Sequence, residues 1–426
     1  MVALAVSAQT SAVIRETQET RTGGTAQQEF DRLSEQEVDK AGDPAFDLPF
    51  AIAANEAGQF TRAIIALERV LAMQPGNERA RAEMGRALYG VGDHKAARAL
   101  LSESREKGFT AVAGETIDQL LHAIDRVEAE GRSSAKGYLE AQAGWDSNIN
   151  SAPGLNNVAV PAYGGTILAV DPAGTKKKGW YGAWTAGASG RLVLGPRFSL
   201  IGTAIGRRQD FARANANQSN WQFDISAGAS YRVERDEYTL ALQAGSYAID
   251  DDRVRDHAGL VGEWTYRFDG FRQFNLYFQT GRLTYPLSHT SDANRHVVGF
   301  TYAHLTAKGL WAYGGAYVGV ENTVNAGFEH LGHHLVGARG GLQFPIADAL
   351  GGFLAGGFEA RRYGGADPLF LVQRRDNQFN LSAGLSWVPM PQWRVTPQIG
   401  WARASSTVPL ARYHKFAGSV AIRREF

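Results

Sequence analysis

The chain reads as multidomain: an all-α N-terminal unit followed by a C-terminal antiparallel transmembrane β-barrel of about 14 strands. Three observations predict this. From Ala135 to Phe426 a period-two alternation of apolar and small or polar residues returns about fourteen times, as strands between lipid and a polar interior require. Connections between these stretches alternate between short turns and longer loops. Before residue 132 the apolar period is instead three to four, the helical spacing.

Composition sets the outer limits. In 426 residues, 44 Lys and Arg nearly cancel 43 Asp and Glu, so charge points to no nucleic-acid partner. There is no cysteine, which excludes disulfides and thiolate metal sites. Mean hydropathy is −0.27, and no window approaches the ~18 apolar residues of a membrane helix. Barrel strands are only half apolar and escape that filter.

Residues 1–28 read as a signal remnant and flexible lead-in. The apolar run Val2–Val6 leads into Val6-Ser7-Ala8, a small-residue cleavage pattern, though a basic start is missing. Residues 9–28 are polar and lack apolar periodicity.

Residues 29–131 read as a helical repeat domain, with helices near 45–57, 60–73, 77–91 and 93–107 and a capping helix near 113–130. A repeat is visible at 34 residues: Gly58-Gln59-Phe60 against Gly92-Asp93-His94, Ala63 against Ala97, Leu67 against Leu101. Pro75 closes the first repeat, and Gly85 stands where two helices must approach closely. This spacing resembles the tetratricopeptide repeat. Such units are usually protein-binding modules; a plain spacer is the alternative. Two repeats are fewer than the usual three or so, so the last helix or the barrel must cover the open end.

Residues 132–426 read as the barrel, with strands near 136–147, 179–193, 197–211, 219–233, 237–249, 256–268, 271–285, 294–306, 309–323, 334–345, 350–363, 374–388, 392–405 and 412–426. Trp221, Phe223, Ile225, Ala227, Ala229 and Tyr231 share one face, and Gln222, Asp224, Ser226, Gly228, Ser230 and Arg232 the other. The closing strand places Phe416, Val420, Ile422 and the terminal Phe426 on its apolar face, the terminal signal of such barrels. Short turns are expected at Gly195-Pro196, Glu234-Arg235-Asp236, Asp269-Gly270, Ala307-Lys308 and Pro389-Met390-Pro391. Longer loops are expected at 148–178, 212–218, 250–255, 286–293, 324–333 and 364–373. Short periplasmic turns and long outer loops are the usual asymmetry, and an even strand count returns Phe426 to the side of the helices, the periplasm. The polar register carries Glu140, Asp146, Arg191, Arg207, Asp224, Arg232, Glu263, Arg267, Arg339, Glu359, Arg361 and Arg394. Facing hydrocarbon, the basic ones would each cost ~2–4 kcal/mol at mid-membrane; Glu140, Asp224, Arg232, Glu263, Arg267, Arg339 and Arg394 are therefore candidate lumen-lining residues.

At the junction, Gly137-Tyr138-Leu139-Glu140 runs to Gly144-Trp145-Asp146-Ser147-Asn148-Ile149-Asn150. This stretch resembles the opening strand of the surface lipoprotein assembly modulator (Slam) family, which pairs periplasmic tetratricopeptide repeats with a C-terminal fourteen-stranded barrel. Trp145 stands where Tyr is commoner. The resemblance implies an outer-membrane translocon that delivers a specific surface lipoprotein or secreted protein, its repeats engaging cargo or chaperone in the periplasm. Read from their chemistry alone, Asp146, Ser147, Asn148 and Asn150 are loop formers that end the strand and launch 148–178.

Enzyme readings are weak, and no cofactor is expected. Glu329, His330, His333 and His334 share an outer loop, but their spacing fits neither HExxH nor a helix-face pair. Ser288-His289 and Asp256-His257 lack a visible third member, and Lys176-Lys177-Lys178 reads as a solvated charge run. Three functions stand: a protein translocon, a porin or polysaccharide exporter with a helical adaptor, and an adhesin. Expected partners are outer-membrane lipid and lipopolysaccharide, a protein cargo, and the barrel-assembly machinery during biogenesis. A monomer is expected.

Overall fold

A computed structural model describes residues 23–106, 121, 124, 132–306, 309–347 and 349–426. The signal remnant, most of the expected capping helix and the Ala307-Lys308 turn lie outside these residues.

Among the described residues six helices come first: α1 (Gly23–Ser34), α2 (Glu37–Lys40), α3 (Pro44–Glu56), α4 (Phe60–Met73), α5 (Glu78–Val91) and α6 (His94–Glu106). Three of these starts are capped by a side chain. Asp43 caps α3 by accepting from the Ala45 amide at 2.9 Å, with Pro44 at the first helical position. Asn77 and Asp93 do the same for Ala80 and Ala96. The repeat pairs noted in the sequence match in structure. Gly58 and Gly92 both turn the chain with φ of +75° and +92°, and Ala63, Ala97, Leu67 and Leu101 are fully buried. A Cβ on Gly85 would collide with the Leu101 side chain, so the close approach is real. Phe30, Phe46, Phe50, Leu67 and Val70 form the core. One buried carboxylate, Asp47, is held by Arg69 at 2.6 Å and by the Gly42 amide at 2.9 Å.

The helical start differs from the expectation of a lead-in through residue 28. α1 begins at Gly23 because Phe30 and Leu33 are drawn into the core, a tertiary effect that outweighs a weak local propensity.

The chain then forms β1 (Ser134–Asp146), the loop strands β2 (Asn157–Val160) and β3 (Thr166–Ala169), β4 (Gly179–Val193), β5 (Phe198–Phe211) and β6 (Asn220–Val233). It continues as β7 (Asp236–Ile249), β8 (Asp252–Arg267), β9 (Arg272–Thr284), β10 (Ala293–Leu305) and β11 (Trp311–Thr323). The last five are β12 (His333–Ala347), β13 (Leu350–Ala366), β14 (Gln373–Met390), β15 (Trp393–Ser406) and β16 (Tyr413–Glu425). All except β2 and β3 join in one closed antiparallel barrel of 14 strands, each paired with its sequence neighbour and β16 returning to β1. Closure leaves no free edge. Large apolar side chains such as Trp184, Leu242, Val318, Phe379 and Ile399 stay exposed on one register, the belt that meets hydrocarbon in a membrane-spanning barrel.

Two connections depart from expectation. The loop placed at 250–255 is a tight turn at Asp250–Asp251, whose φ values of +52° and +64° suit a two-residue hairpin. The strand β8 therefore starts at Asp252, and Val254 is extruded as a bulge between the Tyr247–Arg255 and Ala248–Arg253 pairs. Within the long loop after β1, the segments β2 and β3 pair as a small hairpin, each strand only 4 residues long and too short to show a period-two pattern.

Candidate functional site

Cross-barrel contacts identify the inner face without any assumption about lipid. Arg191 on β4 and Glu237 on β7 are three strands apart along the wall, yet their side chains meet at 2.7 Å. Only a chord through the interior makes that contact. Arg207 on β5 likewise reaches Gln142 on β1 at 2.9 Å, and Tyr317 on β11 donates to Glu359 on β13 at 2.8 Å.

At the end bearing the C-terminus, Glu237 is the hub of this interior. Its carboxylate, 7% exposed, takes Arg191 at 2.7 Å, Arg232 at 2.7 Å and Arg267 at 2.9 Å, while the Ser230 hydroxyl donates at 2.5 Å. Three guanidiniums from three strands on one buried anion brace the wall; removing the anion would strand their charge. The sequence pattern places Arg232 and Arg267 on this register but misses Glu237, the second residue of β7, which stands at the very start of its expected strand.

The other sequence-predicted residues distribute as follows. Glu140 accepts from Arg423 at 2.8 Å across the β1–β16 seam, and Arg394 lies 3.4 Å from Glu425. Asp224 accepts from Gln222 at 2.6 Å and lies 3.5 Å from His257. Arg339 sits over the Tyr277 ring at 5.6 Å. Glu263 shares the register of Arg267, four residues away on β8. Ion pairs cross-link much of this face rather than leaving one sign of charge along it.

The junction motif acts as a clasp at the opposite end. Asp146 accepts the Asn148 amide at 2.7 Å, closing a turn, and meets Lys415 at 3.4 Å. The Ser147 amide donates to the Phe416 carbonyl, and the Phe416 amide donates to the Ser147 hydroxyl, both at 2.9 Å. Asn148, fully buried, donates to the Ala152 and His414 carbonyls and accepts from the Ala152 amide. Gly144 leaves room for the Tyr181 ring, and Trp145 pairs Gly418 on the outward register. On β16, Phe416, Val420 and Ile422 stay exposed on the outward face, and Phe426 closes the seam by exchanging hydrogen bonds with Gly137. The seam is a continuous ladder from Tyr138–Glu425 to Asp146–Ala417.

Chemistry of the catalytic kind does not assemble at the histidines. His333 turns inward, buried against Tyr363, while His334 stays exposed on the other register. Among the described residues, no three His, Cys, Asp or Glu side chains converge as a metal site would need.

One contact site was not legible at all. The turn between β8 and β9 carries Gly270-Phe271, and the helical unit docks on it. Phe271 meets Tyr89 edge-on at 5.3 Å and Phe60 at 6.3 Å, with the Arg86 guanidinium 6.0 Å over its ring. The Tyr89 hydroxyl donates to the Gly270 carbonyl at 3.2 Å. Ala97, Leu101 and Ile124 complete this cluster. Gly270 is required here because a Cβ would enter the Tyr89 ring.

Residues 54–111 match the tetratricopeptide-repeat family. No curated protein shows significant sequence similarity to the chain. Among solved structures the chain is similar to the outer-membrane channel DcaP of Acinetobacter baumannii, at 8% identity and TM-score 0.42, covering 69% of this chain and 97% of that one. It is also similar to an outer-membrane channel from Pseudomonas putida F1, at 12% identity and TM-score 0.33 over 69% and 96%. A FadL homologue of Pseudomonas aeruginosa matches at 11% identity and TM-score 0.35 over 68% and 89%. At such identities and TM-scores no solute or mechanism carries over.

Proposed function

We propose that the chain is a bacterial outer-membrane translocon of the Slam kind, in which the repeat helices receive a protein cargo or its chaperone in the periplasm and the barrel passes it outward. One observation carries this reading: a protein-binding type of repeat is fixed by Phe271 and Gly270 to the barrel end that holds the C-terminus. A repeat unit held beside the mouth delivers what it binds to that mouth at high effective concentration. The braced interior is a second support. Side chains tied across the lumen, as at Arg191–Glu237, suit a wall that opens for a specific cargo better than a permanently wide solute pore. In this reading the outward belt meets lipid and lipopolysaccharide, the barrel-assembly machinery inserts the protein, the monomer is the working form, and no covalent chemistry is involved.

The test compares outer-membrane, periplasmic and secreted proteomes of a deletion strain with its parent. One protein lost from the surface or medium and accumulating in the periplasm is the expected result. If no protein moves, the translocon reading fails, and conductance of the purified barrel in planar bilayers decides whether it is a porin.

A further inference from the structure

The lumen near the outer mouth contains a hollow built around one arginine that differs from its neighbours. Among the described residues eight inward arginines hold a carboxylate: Arg191, Arg232 and Arg267 share Glu237, Arg295 holds Glu321, Arg361 holds Glu359, Arg374 holds Asp376, Arg394 holds Glu425 and Arg423 holds Glu140. Arg207 donates to Gln142 and Gln209, and Arg339 lies over the Tyr277 ring. Arg255 forms no ion pair with any described carboxylate. Tyr285 lines the same hollow beside it, and the Arg255 Nε is buried without a partner.

The Val254 bulge reverses the alternation above Arg255, so Arg253 turns outward, 61% exposed beside Asp256, while Arg255 remains inside. The side chain the bulge re-aims is that of Arg253, and bulges of this kind are common at barrel rims. Two cavities share Arg255 as a common wall. One, of about 130 Å³, is lined by Gln222, Tyr247, Val254, Arg255 and Tyr285. A smaller one adjoins Gln243, His257, Gln279 and Arg295. Gly281 also lines it, and a Cβ there would strike the Ala258 carbonyl of the neighbouring strand. For comparison, a cavity of roughly 150 Å³ accepts a benzene-sized molecule.

We infer that this hollow is a binding site for a small oxyanion, a phosphate or carboxylate group, held by the Arg255 guanidinium with the Tyr247 and Tyr285 hydroxyls and the surrounding Gln amides. Acids around the hollow have other partners: Glu321 pairs with Arg295, Asp224 accepts from Gln222 and lies 3.5 Å from His257, and Asp256 accepts from Ser246 and faces Arg253. An incoming anion meets a guanidinium that is paired with no described carboxylate. Guanidinium and hydroxyl donors in a partly dry recess give charge-assisted bonds about twice as strong as neutral ones. Nothing in this inference depends on what the barrel exports.

The experiment is calorimetric titration of the purified full chain in detergent with inorganic phosphate and, separately, with acetate. Saturable binding of at least one is expected. Arg255→Gln should weaken it tenfold or more, Arg255→Lys should restore part of it, and Arg253→Gln should leave it unchanged. Phosphate-only binding assigns the site to phosphoryl groups, and acetate binding assigns it to carboxylates. Unchanged migration of unheated Arg255→Gln protein on denaturing gels confirms that its barrel is folded. No saturable binding in the parent protein, or equal binding in a folded Arg255→Gln variant, overturns the inference, whatever the proteome comparison shows.

Discussion

Phe271→Ala tests the docking of the helical unit most directly. The substitution removes an aromatic pair with Tyr89, about 0.5–1.5 kcal/mol beyond burial. It also removes the Arg86 cation–π contact, about 0.5 kcal/mol at a partly exposed site, and roughly 1 kcal/mol of transfer energy for a half-buried ring. The docked arrangement should lose about 2–3 kcal/mol, which lowers the docked-to-undocked ratio ~30- to 150-fold. The barrel itself should survive, because Phe271 lies in the turn before β9 and joins β10 only through its backbone carbonyl, which accepts from the Leu305 amide and is kept by the substitution. With no native cysteine, spin labels can be placed at Val38→Cys, on the helical unit, and Leu194→Cys, at the β4–β5 turn, both exposed. Pulsed dipolar spectroscopy should give one narrow distance distribution in the parent and a broad one in Phe271→Ala. An equally narrow distribution in both would refute the assignment of the dock to this ring.

Other outcomes follow from the same geometry. Glu237→Gln should destabilise the barrel by about 3–5 kcal/mol, since three arginines lose their buried counter-ion; urea unfolding monitored by gel migration measures it. Asn148→Ala removes three buried hydrogen bonds and should expose residues 149–178 to added protease on intact cells, with the barrel intact. Gln142→Cys with Ala421→Cys faces two inward positions across the seam and should form a disulfide. Export that stops on oxidation and resumes on reduction would mean that β1 and β16 must part, whereas undiminished export would sink a lateral exit there.

Much of the wall was legible because each strand declares its own two faces. Trp221 to Val233 and Phe416 to Phe426 alternate whatever lies beside them, so strand number and register could be read locally. The helical repeat was legible for the same reason: Gly58 and Gly92, 34 residues apart, each carry a conformational demand that shows in their identity. What failed were features fixed by closure of the barrel. Glu237 becomes a hub only when β4, β6 and β8 are brought within one side-chain length of it. The Asp250–Asp251 turn was hidden by a run of charged residues that resembled a loop. The Val254 bulge leaves no compositional mark. Phe271 looked like one more aromatic at a strand end, and its true partner lies in another unit.

That partner also sets an order of events. Tyr89 and Gly270 are 181 residues apart in sequence, and closing such a loop in an unstructured chain costs about 5 kcal/mol. The contacts around Phe271 return less than that. The dock therefore cannot form while the intervening strands are unpaired. Once they are paired, β1 and the β8–β9 turn are held in one ring, and most of that entropy has already been lost to strand pairing. The helices, synthesised first, are positioned last, and an engaged repeat unit is in effect a certificate that the barrel behind it is complete.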